Sequence, residues 1–308
     1  MSYDLIDGAG RKEKNEKSNR ICIYTFMYNA GLILEGGGMR GVYTAGVLDA
    51  FLDAGIEFSS VYGVSAGSCH ACSYLSKQRG RAFRVNVDYL DDPNYCGAKT
   101  FLKTGNVFGP EMLYEQIPDV LDPFDHQAFL NYPGKFYAVV TDVDTGAARY
   151  LRVRDLRKQM WMIRASSSLP LVSKTLVVKG HKLLDGGIAD SIPIRKSIED
   201  GNEKNVVILT RDKGYRKEPN KLMPLMHLRY PKYKAFLHAM ETRHIRYNET
   251  LDFLEEQEKE GKILIIRPQV KVDVGRIEKD KAKLTVLYKQ GFHDGGQMIE
   301  TMKEYLEK

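Results

Sequence analysis

The chain has 308 residues, 43% hydrophobic and 28% charged, with a formal net charge of +6. That length suits one large domain or two smaller ones with a sizeable core, and the composition is that of an ordinary globular protein. No run approaches the ~18 apolar residues of a membrane span, and Cys22, Cys69, Cys72 and Cys96 lack framework spacing and read as free thiols. The expected location is therefore cytoplasmic, at most peripheral to the inner membrane face.

Residues 1–28 read as a disordered, dispensable extension. The first 20 or so are polar, charged and unpatterned. Ile21–Tyr28 is too short and polar for a signal peptide, and Met27 is a candidate start. Gly31–Glu35 is a short apolar run ending in glycines, so it reads as a buried strand. Apolar residues from Val42 to Leu52, with Gly55 as the stop, predict a helix. Ser60–Val64 reads as a second strand and Ala66–Leu75 as a second helix. Between Asp88 and Asn131, Pro93, Gly97, Gly105, Pro110, Pro118 and Pro123 break every pattern. That stretch is expected to be a long irregular insertion of the lid or substrate-loop kind.

Further strands are expected at Phe136–Val140, Thr175–Val178, Asn205–Thr210 and Lys262–Arg267. Helices are expected at Val153–Ala165, Ile192–Asp200, Tyr233–Lys259 and Leu284–Leu306. This alternation implies βαβ units and a mainly parallel sheet covered on both faces. The expected division is a catalytic domain over 29–210 and a helical C-terminal region over 211–308, with one further strand, packed on the same domain. Arg211–Lys234 holds eight Lys/Arg (Arg211, Lys213, Arg216, Lys217, Lys221, Arg229, Lys232, Lys234) against Asp212 and Glu218. Such a segment could attract nucleic acid, an anionic membrane face or a phosphate-bearing substrate, or is simply a solvated face; peripheral contact with an anionic membrane is the expectation.

Gly36-Gly37-Gly38-Met39-Arg40-Gly41 lies between the first strand and helix. Its spacing supports two chemistries, a pyrophosphate cradle or an oxyanion hole of free backbone amides. A dinucleotide site would need a carboxylate at the end of the second strand, and Val64-Ser65-Ala66-Gly67 has none there. Gly63-Val64-Ser65-Ala66-Gly67 is a Gly-x-Ser-x-Gly at a strand-to-helix junction, the context a nucleophile elbow requires.

A serine nucleophile needs a base. Of seven histidines, His293 alone follows the Ser…Asp…His order, and it falls within the expected C-terminal helix. Asp185, in Leu183-Leu184-Asp185-Gly186-Gly187, is delivered by an apolar pair to a loop whose glycines permit close approach. A carboxylate can serve if it is desolvated and adjacent to the hydroxyl. Cys69-x-x-Cys72 reads as two small buried residues rather than a redox pair, Met160, Trp161 and Met162 as core, and Arg40 as structural, with binding of a substrate phosphate the alternative. No spacing suggests a metal, and the expected reading has no cofactor and no nucleic-acid partner.

The glycine loop after Glu35, the elbow, the Asp185-Gly186-Gly187 turn and Arg164-Ala-Ser-Ser-Ser-Leu-Pro170, in that order, resemble the patatin-like phospholipase family over about Gly31–Thr210. The resemblance implies a three-layer α/β/α fold and metal-free acyl-ester hydrolysis by a Ser65–Asp185 dyad. It places the oxyanion hole in Gly36–Gly41, around the amides of Gly37 and Gly38, and implies lipid or small acyl-ester substrates. The alternatives are a Ser–His–Asp esterase using His293 and a dinucleotide-binding protein.

Overall fold

The computed structural model describes residues 26–308, so the expected extension lies outside the described residues except for its last three. One sheet carries eight strands: β1 (Phe26–Leu34), β2 (Ile56–Val64), β3 (Lys135–Asp142), β4 (Ala148–Val153), β5 (Leu176–Val178), β6 (His181–Asp185), β7 (Asn205–Ile208) and β8 (Ile263–Ile266). The order is β5-β6-β3-β2-β1-β7-β8, with β4 also on β3. The five strands from β3 to β8 run parallel, and β4, β5 and β6 are antiparallel additions.

Alternation along the central strands divides the core. Leu32 and Leu34 of β1 pack with Val42, Val47 and Leu287, on the face covered by helices Val42–Asp53 and Lys281–Gln297. Ile33 packs with Ile194, Tyr247 and Leu254, on the face covered by helix Arg243–Lys259. Strands buried on both sides need runs of apolar residues, as Val206, Val207 and Ile208 of β7 show. The result is helix, sheet, helix.

Several expectations change. β1 begins at Phe26, because Phe26 pairs with Ile56 and Tyr28 is buried against the core. Residues 26–28 thus belong to the sheet; an irregularity between Tyr28 and Gly31 hid the strand's period. The stretch 88–131 is largely helical, at Ala98–Thr104, a wide π-type helix Met112–Leu121 and His126–Asn131. Pro110 starts a helix, where its missing N–H is harmless, and Pro118 sits within the wide turns. Arg149 and Arg152 masked β4, a half-buried strand. The two long C-terminal helices break at Thr242 and Met298 into Lys234–Glu241 with Arg243–Lys259, and Lys281–Gln297 with Ile299–Glu307. Among the described residues no helix is long and apolar enough to cross a membrane.

Candidate active site

The site is built along one edge of β3. Its other edge is taken by β4 over residues 136–141. On the remaining edge β2 runs up to Val64, opposite Val139, while β6 runs down to Asp185, opposite Val140. The two strands therefore meet end to end. The residue after β2 is Ser65 and the last residue of β6 is Asp185, so adjacent rungs of one ladder bring together groups about 120 residues apart in sequence. Asp185 ends a strand instead of sitting in a free loop, and its strand is antiparallel to the rest.

Ser65 has φ 53 and ψ −124, a conformation that costs a non-glycine residue roughly 1–3 kcal/mol. Its surroundings hold it there. Its N–H donates to Ser166 Oγ at 2.9 Å, and its carbonyl accepts from the N–H and the hydroxyl of Ser68 at 2.9 and 2.7 Å. Gly67 lets helix Ala66–Leu75 pass β1, since a Cβ there would stand 2.4 Å from the Leu34 carbonyl oxygen. Gly63 meets the same helix at Ser68. Ser166 Oγ donates onward to the Val139 carbonyl at 2.6 Å, and the Ser168 carbonyl accepts from Asp185 N–H at 2.8 Å. The serine run after helix Leu156–Ser166 thus clamps both partners, a role sequence reasoning missed.

Asp185 is 3% exposed. Oδ1 accepts from Gly187 N–H at 2.7 Å, while Oδ2 is buried with no hydrogen-bond partner. Burial pushes the carboxyl above its usual range; the nearby Ser65 hydroxyl and the Arg243 guanidinium offset part of that rise. The Arg243 Nε donates to the Gly187 carbonyl and holds the turn. Gly186 lies against Val139.

The glycine loop closes the site from the β1 side. A Cβ on Gly36 would stand 2.8 Å from Ser65 Cβ, so the loop lies directly on the serine. Gly37 caps and Gly38 opens a short 3-10 turn, Gly38–Gly41, and the first amides of such a turn have no acceptor within it. Met39 N–H donates to the Arg276 carbonyl at 3.1 Å and is already engaged. Gly41 packs on the His70 ring. Glu35, buried below the loop, accepts from Tyr247 Oη at 2.6 Å and from Thr210 N–H and Oγ1 at 2.7 and 3.0 Å.

Two cavities meet at Ser65. One, of about 880 Å³ with its mouth, is walled by Tyr95, Phe108, Leu113 and Ile117 from the 88–131 stretch, with Met160 and Ile163 opposite. The other, of about 450 Å³, also holds Asp185 and carries Arg40, Arg211, Lys217, Arg243 and Arg276. His293 is exposed on helix Lys281–Gln297 and lines neither. His70 lines the apolar cavity, and burial holds its imidazole down at about 4, so it is a poor base. Cys69 and Cys72 are free, with Sγ atoms on Ser167 Oγ and the Ser68 carbonyl. No cluster of three or more metal-ligating side chains occurs among the described residues.

The fold is of the α/β class, a mainly parallel sheet between helices. The model of the patatin-like phospholipases matches residues 32–197, and the chain belongs to that family. A second model, described only as a domain of unknown function, matches residues 233–307. The chain is 35% identical over 185 residues to the uncharacterized protein YjjU of Escherichia coli, a match covering 58% of this chain and 51% of that one. It is 26% identical to lysophospholipase nte1 of Aspergillus niger over 54% of this chain and 11% of that one. It is also 26% identical to human patatin-like phospholipase domain-containing protein 6, over 59% of this chain and 13% of that one. The matched stretch thus takes up about half of YjjU and a small part of the longer relatives.

Proposed function

We propose that the protein is a serine acyl-hydrolase in which Ser65 is the nucleophile and Asp185 its general base. The observation that carries this reading is the end-to-end meeting of β2 and β6, which sets a strained serine beside a buried carboxylate with a free oxygen. Asp185 takes the hydroxyl proton as Ser65 Oγ attacks the acyl carbonyl. The amides of Gly37 and Gly38 receive the developing oxyanion. Collapse expels the alcohol, which leaves with the proton from Asp185. The same carboxylate then deprotonates a water that attacks the acyl-serine, and the acid is released.

The apolar cavity suits the acyl chain of a lipid ester. Leu225 and Leu228, 51% and 79% exposed on helix Met223–Arg229, adjoin the exposed Arg229, Lys232 and Lys234. That combination supports peripheral contact with an anionic membrane. Of the other basic residues in the segment, Arg216 is paired with Asp252 and Lys221 with Glu218.

The test is hydrolysis of a short-chain ester. Ser65→Ala and Asp185→Asn should each lower kcat on the order of 10⁴-fold, and the double variant should be little worse than either. His293→Ala should retain most activity. A fluorophosphonate should label Ser65 in the wild type and fail to label Ser65→Ala. A folded Asp185→Asn protein with near-normal turnover would overturn the assignment of the base.

A further inference from the structure

The cationic cavity is out of balance. Five cations, Arg40, Arg211, Lys217, Arg243 and Arg276, line it with only two carboxylates, Glu35 and Asp185. Glu35 is already saturated by Tyr247 and Thr210. None of the five forms an ion pair among the described residues, although the other two buried arginines, Arg81 and Arg267, do. Their contacts are of a holding kind. Arg211 lies over the Tyr215 ring at 4.5 Å, Lys217 over Tyr247 at 3.9 Å, and Arg243 donates to a backbone carbonyl. Arg40 is 6% exposed, yet its Nε has no hydrogen-bond partner, and neither has Arg211 Nε. Burial and the neighbouring guanidinium of Arg243 bring the Lys217 ammonium down to about 7, and burial with Arg211 brings Arg40 to about 10. A buried donor without a partner and crowded like charges are both costly, and an oxyanion would relieve both.

We propose that these five residues form a subsite for the phosphate monoester of an acyl-ester substrate, held beside Ser65 while the acyl chain fills the apolar cavity. The proposal rests on the acyl-hydrolase reading and names its substrate class. Arg243 and Arg276 come from the stretch matched only as a domain of unknown function, so this region supplies two of the five cations. A phosphate monoester carries a charge of about −1.5 to −2 at neutral pH, and guanidinium forks bind it in bidentate fashion. A zwitterionic headgroup would bring a further cation into a net positive pocket. Ester and phosphate thus lie on opposite sides of one junction.

The experiment compares three esters with the same acyl chain, a monoacylglycerol phosphate, a monoacylglycerol and a monoacylglycerophosphocholine, by kcat/KM. Binding of inorganic phosphate is followed in parallel by calorimetry. Wild type should prefer the phosphate monoester by at least about 10-fold over either of the others, an advantage of about 1.4 kcal/mol. Inorganic phosphate should bind and should compete with the monoester. In Arg276→Gln and in Lys217→Gln the preference should shrink several-fold and phosphate binding should weaken in step. Arg276 is exposed, so its replacement leaves folding intact. Equal kcat/KM for all three esters with no phosphate binding overturns the subsite while leaving the hydrolase reading standing. Phosphate binding that is lost in Arg276→Gln, in a protein that cleaves none of the esters, supports the subsite and overturns the hydrolase. Phosphate binding without any preference among the esters means a free-phosphate site and overturns the substrate assignment.

Discussion

Asp185 sits in a place that disfavours its charge. Burial raises its pKa above the ordinary 3.8, so the ionised base is lost sooner on acidification than an exposed aspartate would be. Turnover should therefore fall as pH drops through a midpoint above about 4, measured as kcat/KM on a neutral ester. A rate that stays flat to pH 4 in folded protein would contradict the assignment. The same shift has a sign for stability. A carboxyl that binds its proton more tightly folded than unfolded costs stability once pH exceeds the folded pKa, and costs nothing below the unfolded one. Asp185→Asn should thus melt at an unchanged or higher temperature at pH 7, by calorimetry, while losing activity. Ser65, Asp185 and the glycines were legible because each sits in a short motif whose meaning is local. Ser166, Ser168, Lys217, Arg243 and Arg276 were not. A serine on a helix end or an arginine on a basic helix has no local mark of function, and only tertiary folding aims it at the site.

At the scale of elements, boundaries were read well where burial is complete. Helix Ala66–Leu75 falls where its small apolar run placed it, and β2 needed only extension to Ile56. β4 and β6 were unreadable, since they carry polar residues on one face and take their partner from β3, whereas the edge strand β5 falls within the expected Thr175–Val178. Pro-rich 88–131 misled because proline was weighed as a breaker where the chain uses it at helix starts and in wide turns. Its aromatic residues nevertheless wall the apolar cavity, so the expected substrate role has a physical basis in this structure. Helix Met223–Arg229 invites a test of its own. Leu225→Glu with Leu228→Glu should weaken flotation with anionic vesicles by at least several-fold while turnover of a soluble ester persists, and wild-type binding should fall as salt rises. Vesicle binding indifferent to both changes would leave this face merely solvated.

Across the whole molecule, the C-terminal third is joined to the catalytic sheet at three levels. β8 extends it, Tyr247 reaches Glu35 beneath the glycine loop, and helix Lys281–Gln297 lies on helix Val42–Asp53. That last contact is backbone on backbone. A Cβ on Gly291 would stand 2.1 Å from the Tyr43 carbonyl oxygen, and one on Gly46 would stand 2.2 Å from that of Tyr288. Gly291→Val should therefore force the helices apart, at a cost of about 1–3 kcal/mol, read as a lowered melting temperature. Esterase activity should fall with it, because the same region bears Arg243 and Arg276. An unchanged melting temperature would show that the two helices are not held at this distance.

The shared edge of β3 has one more consequence. The gap between Ser65 and Asp185 follows a single step along β3, about 3.3 Å per residue, steadied by Ser166 and Ser168. The stretch 88–131, which contributes to neither, can lengthen, shorten or change its side chains without altering that spacing. β3 acts as a ruler, and this wall of the apolar cavity hangs from it as a replaceable part. In such a molecule the choice of substrate can drift while the chemistry stays fixed, and a one-residue slip of β3 would disable it more surely than the loss of a whole loop.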